Sequence, residues 1–194
     1  MYCAVTKLSD LLSSLERVLA YTIVIALPIM VLVNTAARAM RSPIYWMDEL
    51  AILSMVWLAM LTMSLTLKSR DAVAVTMLLD VVSPSVLKAM KVAVDILTMI
   101  FGLVLLTLSY NWFDPLALAR VGFNFQEFSG ETFNFMYQET TATLGLPKFW
   151  FWTIVPFAAF CTSVHALSNL LATLRTNTEQ LSVDHHKRTP LGGE

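Results

Sequence analysis

The stretch Leu50–Leu67, LAILSMVWLAMLTMSLTL, carries no charged residue from end to end. An α-helix rises about 1.5 Å per residue, so about 20 apolar residues cross a hydrocarbon core of about 30 Å. This stretch has that length and composition, and three others in the chain match it. The first runs from about Val18 to Ala37, interrupted by Tyr21, Pro28 and Asn34. The third runs from about Val92 to Trp112, with Asp95 near its start, and the fourth from about Phe149 to Leu174, with Pro156 and His165 inside it. Membrane helices tolerate such prolines because neighbouring groups satisfy the freed carbonyls. The fold class is therefore all-α: an integral membrane protein with four transmembrane helices.

Composition agrees. Of 194 residues 57% are hydrophobic and 14% charged, with mean hydropathy +0.65, against about 45–50% and about 25% in an average soluble domain. With 13 Lys+Arg against 14 Asp+Glu there is no basic excess for nucleic acid. Cys3 and Cys161 have neither disulfide-framework nor metal-ligand spacing. The apolar part of the first span exceeds the 7–15 residues of a signal peptide, which favours a retained span although Ala37-x-Ala39 follows it.

Lysine and arginine set the expected orientation. Nine of them (Lys7, Arg17, Lys68, Arg70, Lys88, Lys91, Arg175, Lys187 and Arg188) fall on the side that holds both termini. Four (Arg38, Arg41, Arg120 and Lys148) fall on the other. Both termini are therefore expected to be cytoplasmic. Trp46, Trp112, Trp150 and Trp152 fall at outer span ends, where amphipathic rings favour the headgroup level, and Trp57 is the exception. Residues 1–175 make the membrane domain, and 176–194 a polar cytoplasmic tail with adjacent His185 and His186.

The connections differ in character. In residues 6–17, Leu8, Leu11, Leu12 and Leu15 recur at helical spacing while Asp10, Ser13, Ser14 and Glu16 face away. This N-terminal amphipathic helix either lies in the interface or extends span one. Asp48 and Glu49 occupy the first turn of span two, where carboxylates suit the helix dipole. In the inner connection 68–91, Val73–Val82 is apolar but too short to span, and Ser83-Pro84 reads as a helix start. The outer connection 113–148 is net acidic and aromatic, so it either folds over its own bundle or offers a docking surface.

Chemistry inside the membrane is sparse. Asp95 has Lys91 four residues before it, and His165 suits a hydrogen bond across helices. There is no second membrane histidine for a haem, no cysteine pair for a thiol oxidase, no nucleophile–base set and no internal repeat of the transporter kind. The chain is not read as an enzyme, and no cofactor, metal or substrate-binding residue is assigned. Ala51, Ser54, Ala59, Thr62 and Thr66 form a small-residue stripe of the kind on which membrane helices pack.

Three patches resemble the small membrane subunit (DctQ-like, Q subunit) of tripartite ATP-independent periplasmic (TRAP) transporters. Trp46-Met47-Asp48-Glu49-Leu50 with Val56-Trp57 is similar to the family's W-x-[DE]-E-hydrophobic opening and following tryptophan. Lys68-Ser69-Arg70, Val73-Ala74-Val75 and Leu78-Leu79-Asp80 resemble its basic-then-apolar segment. Thr141–Leu146 with Pro147 and Pro156 is similar to its t-x-x-LG-hydrophobic-P and later proline. Thr62 and Ala72 depart from the family's usual glycine and histidine, and the loop from Phe113 to Thr140 is longer than usual. The resemblance implies a scaffold subunit in the bacterial inner membrane. It would brace a large elevator-type permease subunit that imports an organic acid or similar solute with sodium, delivered by a periplasmic substrate-binding protein. Trp46, Asp48, Glu49 and Trp57 are the expected partner-interface residues, with Glu49 bonding the large subunit, and membrane lipid is a further partner. The rival reading is a stand-alone four-helix bundle that binds a lipid or quinone.

Overall fold

A computed structural model describes residues 2–69 and 84–175. Long apolar runs without strand-forming alternation give helices: α1 (Tyr2–Ala39), α2 (Tyr45–Ser69), α3 (Pro84–Phe113), α4 (Pro115–Arg120), α5 (Phe125–Thr132), α6 (Phe149–Trp152) and α7 (Ile154–Arg175). Four helical segments are long and apolar enough to cross a membrane: Tyr2–Ala39, Tyr45–Ser69, Lys88–Arg120 and Phe149–Arg175. They run up, down, up and down. One end of the bundle carries residues 113–148, here the loop end. The other carries Tyr2 and Arg175, whose guanidinium lies 4.2 Å from the Tyr2 ring centroid. Arg70, Val73–Val82, Ser83, the tail 176–194 and its two histidines lie outside the described residues.

Helix α7 is the hub, packing on α1, α2 and α3, while α1 also packs on α2. In its most apolar stretch 44% of residues are buried, against 11% in α1 and α2 and 17% in the α3 segment. The outer three helices thus leave most of their apolar surface outside the bundle. Helix α3 comes close to α7 at Gly102, where a Cβ would stand 2.6 Å from Ser163 Oγ and 3.2 Å from its backbone nitrogen. Absence of a side chain there lets two membrane helices approach.

Two expectations change. Residues 6–17 do not form a separate interfacial helix but take the other reading, an extension of span one: they are the first turns of α1, one unbroken helix of 38 residues, about 57 Å long. Within the bundle Ser9, Ser13 and Glu16 are buried, while Leu8, Leu11 and Leu15 face outward, as do Asp10 and Ser14. The bundle takes up the polar side because it finds partners there: Ser9 and Glu16 meet His165 of α7, and Ser13 meets Lys68 of α2. The fourth span is likewise broken at Thr153 into α6 and α7. Pro156 has no N–H and clashes with the carbonyl four residues earlier, so the helix cannot run through regularly.

Candidate functional site

Two polar constructions organise the molecule, one at each end. At the loop end the short turn between α1 and α2 is fastened by Asn34 and Asp48. Asn34, buried in α1, donates from Nδ2 to Asp48 Oδ1 at 2.5 Å and accepts from the Ile44 backbone at 3.2 Å. Arg38 ion-pairs with the other oxygen of Asp48. Asp48 thus sits in the first turn of α2, as the helix dipole favours, and also ties that turn to the end of α1.

Glu49 reaches across to the far end of the chain. Its Oε1 accepts from the Ala142 backbone N–H at 2.8 Å. Its Oε2 accepts from the Thr143 N–H at 2.7 Å, the Thr143 hydroxyl at 2.6 Å and the Leu144 N–H at 3.2 Å. Three successive backbone N–H groups that point into one concavity make an anion nest. The loop is shaped to present them. Thr141 N–H donates to Leu146 O at 2.8 Å, Leu146 N–H donates to Thr141 Oγ1 at 2.9 Å, and Lys148 N–H donates to Glu139 O at 2.8 Å. Gly145 takes φ +67°, which a side chain resists.

The rest of the long loop has its own small core. Leu118, Phe128, Met136 and Tyr137 are buried together, with Phe113, Val121 and Phe149 against them. Asp114 and Asn124 cap α4 and α5. Asn134 donates to Trp112 O at 2.7 Å and Tyr137 OH to Phe113 O at 2.6 Å, so the loop supplies partners for the last carbonyls of α3. Burial and the nearby Asp114 carboxylate push the Tyr137 phenol above its ordinary value. Phe123 and Phe133, 68% and 83% exposed, remain on the loop's surface, both at positive φ. The loop both folds on itself and leaves an aromatic face outward.

Trp57 donates from Nε1 to Phe151 O at 2.8 Å. That carbonyl lies at the α6–α7 break, where the regular helical partners are lost. Trp46 is 44% exposed on the first turn of α2. Of the four residues expected at a partner interface, Asp48, Glu49 and Trp57 therefore bond within this chain and Trp46 faces outward. Ala59, Thr62 and Thr66 also face outward, the two threonines bonded to carbonyls of their own helix.

Nearer the terminal end lies a buried seam. His165 of α7 is wholly enclosed, with Nε2 2.9 Å from Glu16 Oε2 and Nδ1 2.8 Å from Ser9 Oγ, both on α1. Glu16 is wholly enclosed too, and Cys161 of α7 stands beside its carboxylate. Below them Lys68 of α2 donates to the Ser9 carbonyl, Asp10 Oδ1 and Ser13 Oγ, each at 2.8 Å. Asn169 of α7 donates to the last carbonyls of α2 at 3.1 and 3.2 Å. Asp95 of α3 is buried and accepts from Thr173 of α7 at 3.1 Å. The sequence reading of His165 as a cross-helix hydrogen-bonder agrees with this geometry, but Ser9 and Glu16 were missed. Their signal was the 4-3-4 spacing of Ser9, Ser13, Glu16 and Ala20, all buried. Among the described residues no group of three or more His, Cys, Asp or Glu is arranged to hold a metal ion.

Two of the three family-like patches thus meet in space, through Glu49 and the Thr141–Leu146 turn. A family model described as "Tripartite ATP-independent periplasmic transporters, DctQ component" matches residues 27–176. The chain belongs to this family. No curated relative and no solved structure matched. The matched range takes in the Glu49 clamp, the aromatic loop and His165, and begins after Ser9 and Glu16. As a DctQ protein the chain is a small membrane component of a TRAP transporter, a transporter family rather than an enzyme family. TRAP systems pair this component with a large permease and a periplasmic binding protein.

Proposed function

We propose that this DctQ chain is a scaffold that braces the large permease subunit of a sodium-coupled TRAP transporter in a bacterial inner membrane. Its termini face the cytoplasm, and the imported solute is an organic acid or similar small molecule handed over by a periplasmic binding protein. The observation that carries the bracing role is the exposure of α1, α2 and α3. A hub helix holds three others, whose apolar surfaces are largely free for a larger membrane partner. The outward stripe of Ala59, Thr62 and Thr66 gives a second helix a close approach.

The proposed contacts with partners are Trp46 directly, and Asp48, Glu49 and Trp57 through the elements they hold. Glu49 keeps the 141–146 turn in shape, Asp48 fixes the α1–α2 turn, and Trp57 fixes the α6–α7 break. The aromatic face with Phe123 and Phe133 belongs to the side from which a binding protein would approach. Membrane lipid fits the open groove of about 650 Å³ between α1 and α2, where exposed Arg17 stands near Tyr21, Val24 and Leu65.

The test is purification of the tagged chain from its native membrane in mild detergent. A stoichiometric large multi-span partner is the expected result, and recovery of this chain alone, monodisperse and stable, would sink the reading. For the interface, Glu49→Ala and Glu49→Gln should lower complex yield and solute uptake, with Gln the milder. If both variants leave yield and uptake unchanged, Glu49 has no part in assembly.

A further inference from the structure

Three fully buried side-chain oxygens have no hydrogen-bond partner in the described structure: Glu16 Oε1, Ser64 Oγ and Thr162 Oγ1. They belong to three different helices, α1, α2 and α7. The pairing of those helices fixes their relative heights. Ala20, Leu61 and Ile154 share one apolar cluster. Toward the terminal end Lys68, about two turns past Leu61, meets Ser9, Asp10 and Ser13 of α1, while Asn169, about four turns past Ile154, meets the carbonyls of Leu67 and Lys68. On α2, Ser64 lies between Leu61 and Lys68. On α1, Glu16 lies between Ser13 and Ala20. On α7, Thr162 lies between Ile154 and Asn169. Taken from Asn169 opposite Leu67 and Lys68, and from Glu16 on His165, the register brings the three orphan oxygens within about one helical turn of one another along the three-helix contact.

Leaving such atoms unpartnered in a water-excluded place is costly, and a buried carboxylate oxygen is the costliest of the three. The groups near Glu16 do not remove the cost. Cys161 offers only a thiol, a weak donor. The Lys68 ammonium is already bound to three oxygens of α1. Arg17, next in the chain, is exposed and faces the α1–α2 groove. His165 serves the other carboxylate oxygen and Ser9.

We propose that Glu16 Oε1, Ser64 Oγ and Thr162 Oγ1 frame a binding site for one buried water molecule, which completes the Glu16–His165 pair. A buried water typically makes about three hydrogen bonds to groups that otherwise lack them. This one donates to the carboxylate and to one hydroxyl and accepts from the other. Three oxygens are too few for a hard divalent cation, which takes six or more. With the water in place, one hydrogen-bonded line joins three helices: Ser64 and Thr162, water, Glu16, His165 and Ser9. It pins α1 at one height on α2 and α7.

The sign of a stability change tests the site. Ser64→Ala and Thr162→Val are made singly and together in the full-length chain, purified with any partner that accompanies it. If the hydroxyls host the water, removing them strands both the water and Glu16 Oε1. The double variant should then lower the apparent unfolding midpoint by about 3–6 °C. If the place is dry, the same changes remove two unsatisfied hydroxyls, and the midpoint stays or rises. That outcome overturns the proposal. Repeating the double variant on a Glu16→Gln background separates a water from ordinary packing. The loss should shrink by at least about half when the carboxylate is gone, and an undiminished, additive loss overturns the proposal as well. If Glu16→Gln fails to accumulate, the sign of the Ser64→Ala and Thr162→Val shifts alone decides.

Discussion

Two glutamates of this chain stand just before apolar spans, Glu16 before Val18–Ala37 and Glu49 before Leu50–Leu67, and are treated in opposite ways. Glu49, at the loop end, accepts four hydrogen bonds from the single turn 142–144. Glu16, in the seam, is wholly enclosed, and one of its two oxygens meets the His165 imidazole. The first carboxylate has more donors than it needs and organises a loop from outside. The second has fewer than it needs and lies between helices. An exposed carboxylate can draw on water if its partner is lost, and a buried one cannot. The seam should therefore govern whether the bundle holds, and the clamp should govern the shape of one surface.

The largest effect is expected from breaking the seam on one side. His165→Leu leaves Glu16 and Ser9 buried without their partner. Removing one member of a buried pair costs about 3–5 kcal/mol, which lowers the apparent unfolding midpoint by about 10 °C for a chain of this size. Replacing both members, Glu16→Met with His165→Leu, should recover most of that loss, because two apolar groups of similar volume leave no orphan charge. Thermal unfolding of the three proteins measures this directly. A double variant as weak as the single would mean that the loss comes from packing at α7 rather than from the stranded carboxylate.

A smaller and more local effect is expected at the clamp. Glu49→Ala removes the acceptor for the amides of Ala142, Thr143 and Leu144. Hydrogen exchange at those amides should accelerate on the order of tenfold or more, while the global unfolding midpoint moves little. Glu49→Gln keeps one carbonyl acceptor and should fall between. If the midpoint dropped as far for Glu49→Ala as for His165→Leu, the contrast between exposed and buried carboxylates would collapse. The loop would then have to be counted as part of the bundle's core.

Sequence reading succeeded and failed along the same line. Four spans were legible because length and hydropathy alone decide them, and Leu50–Leu67 falls within α2. The clamp was half legible: Trp46–Leu50 and Thr141–Leu146 each stood out, but nothing in the sequence brings positions more than 90 residues apart into contact. The seam was legible at one end only: His165 reads as a cross-helix hydrogen-bonder, but nothing in the sequence pairs the buried stripe Ser9, Ser13, Glu16 and Ala20 with α2 and α7, whose residues lie far along the chain. On α2 the small-residue stripe is Ala51, Ser54, Ala59, Thr62 and Thr66; within this chain α2 buries Leu61 and Ser64, and Ala59, Thr62 and Thr66 face outward. Small size permits close packing without saying which helix takes it up.

The least effect is expected at Tyr137, and it sharpens the comparison because the loop core is intermediate between clamp and seam. Its hydroxyl donates to Phe113 O at 2.6 Å, and its ring meets Phe125, Phe128 and Phe149. Only the neutral phenol can donate that bond, and both burial and Asp114 disfavour the phenolate. The folded loop therefore holds the proton to higher pH than the unfolded chain does. The sign follows: the stabilisation is fully present below the ordinary phenol value of about 10 and is lost as pH rises through the higher folded one. A spectrophotometric titration, compared with Tyr137→Phe, should show one tyrosine ionising later than an ordinary phenol. Exchange protection in 113–137 should fall over the same alkaline range, while that of α7 holds. If the missing tyrosine titrates at the ordinary value, the loop core is too open to exclude water from Tyr137. The clamp alone would then shape the surface.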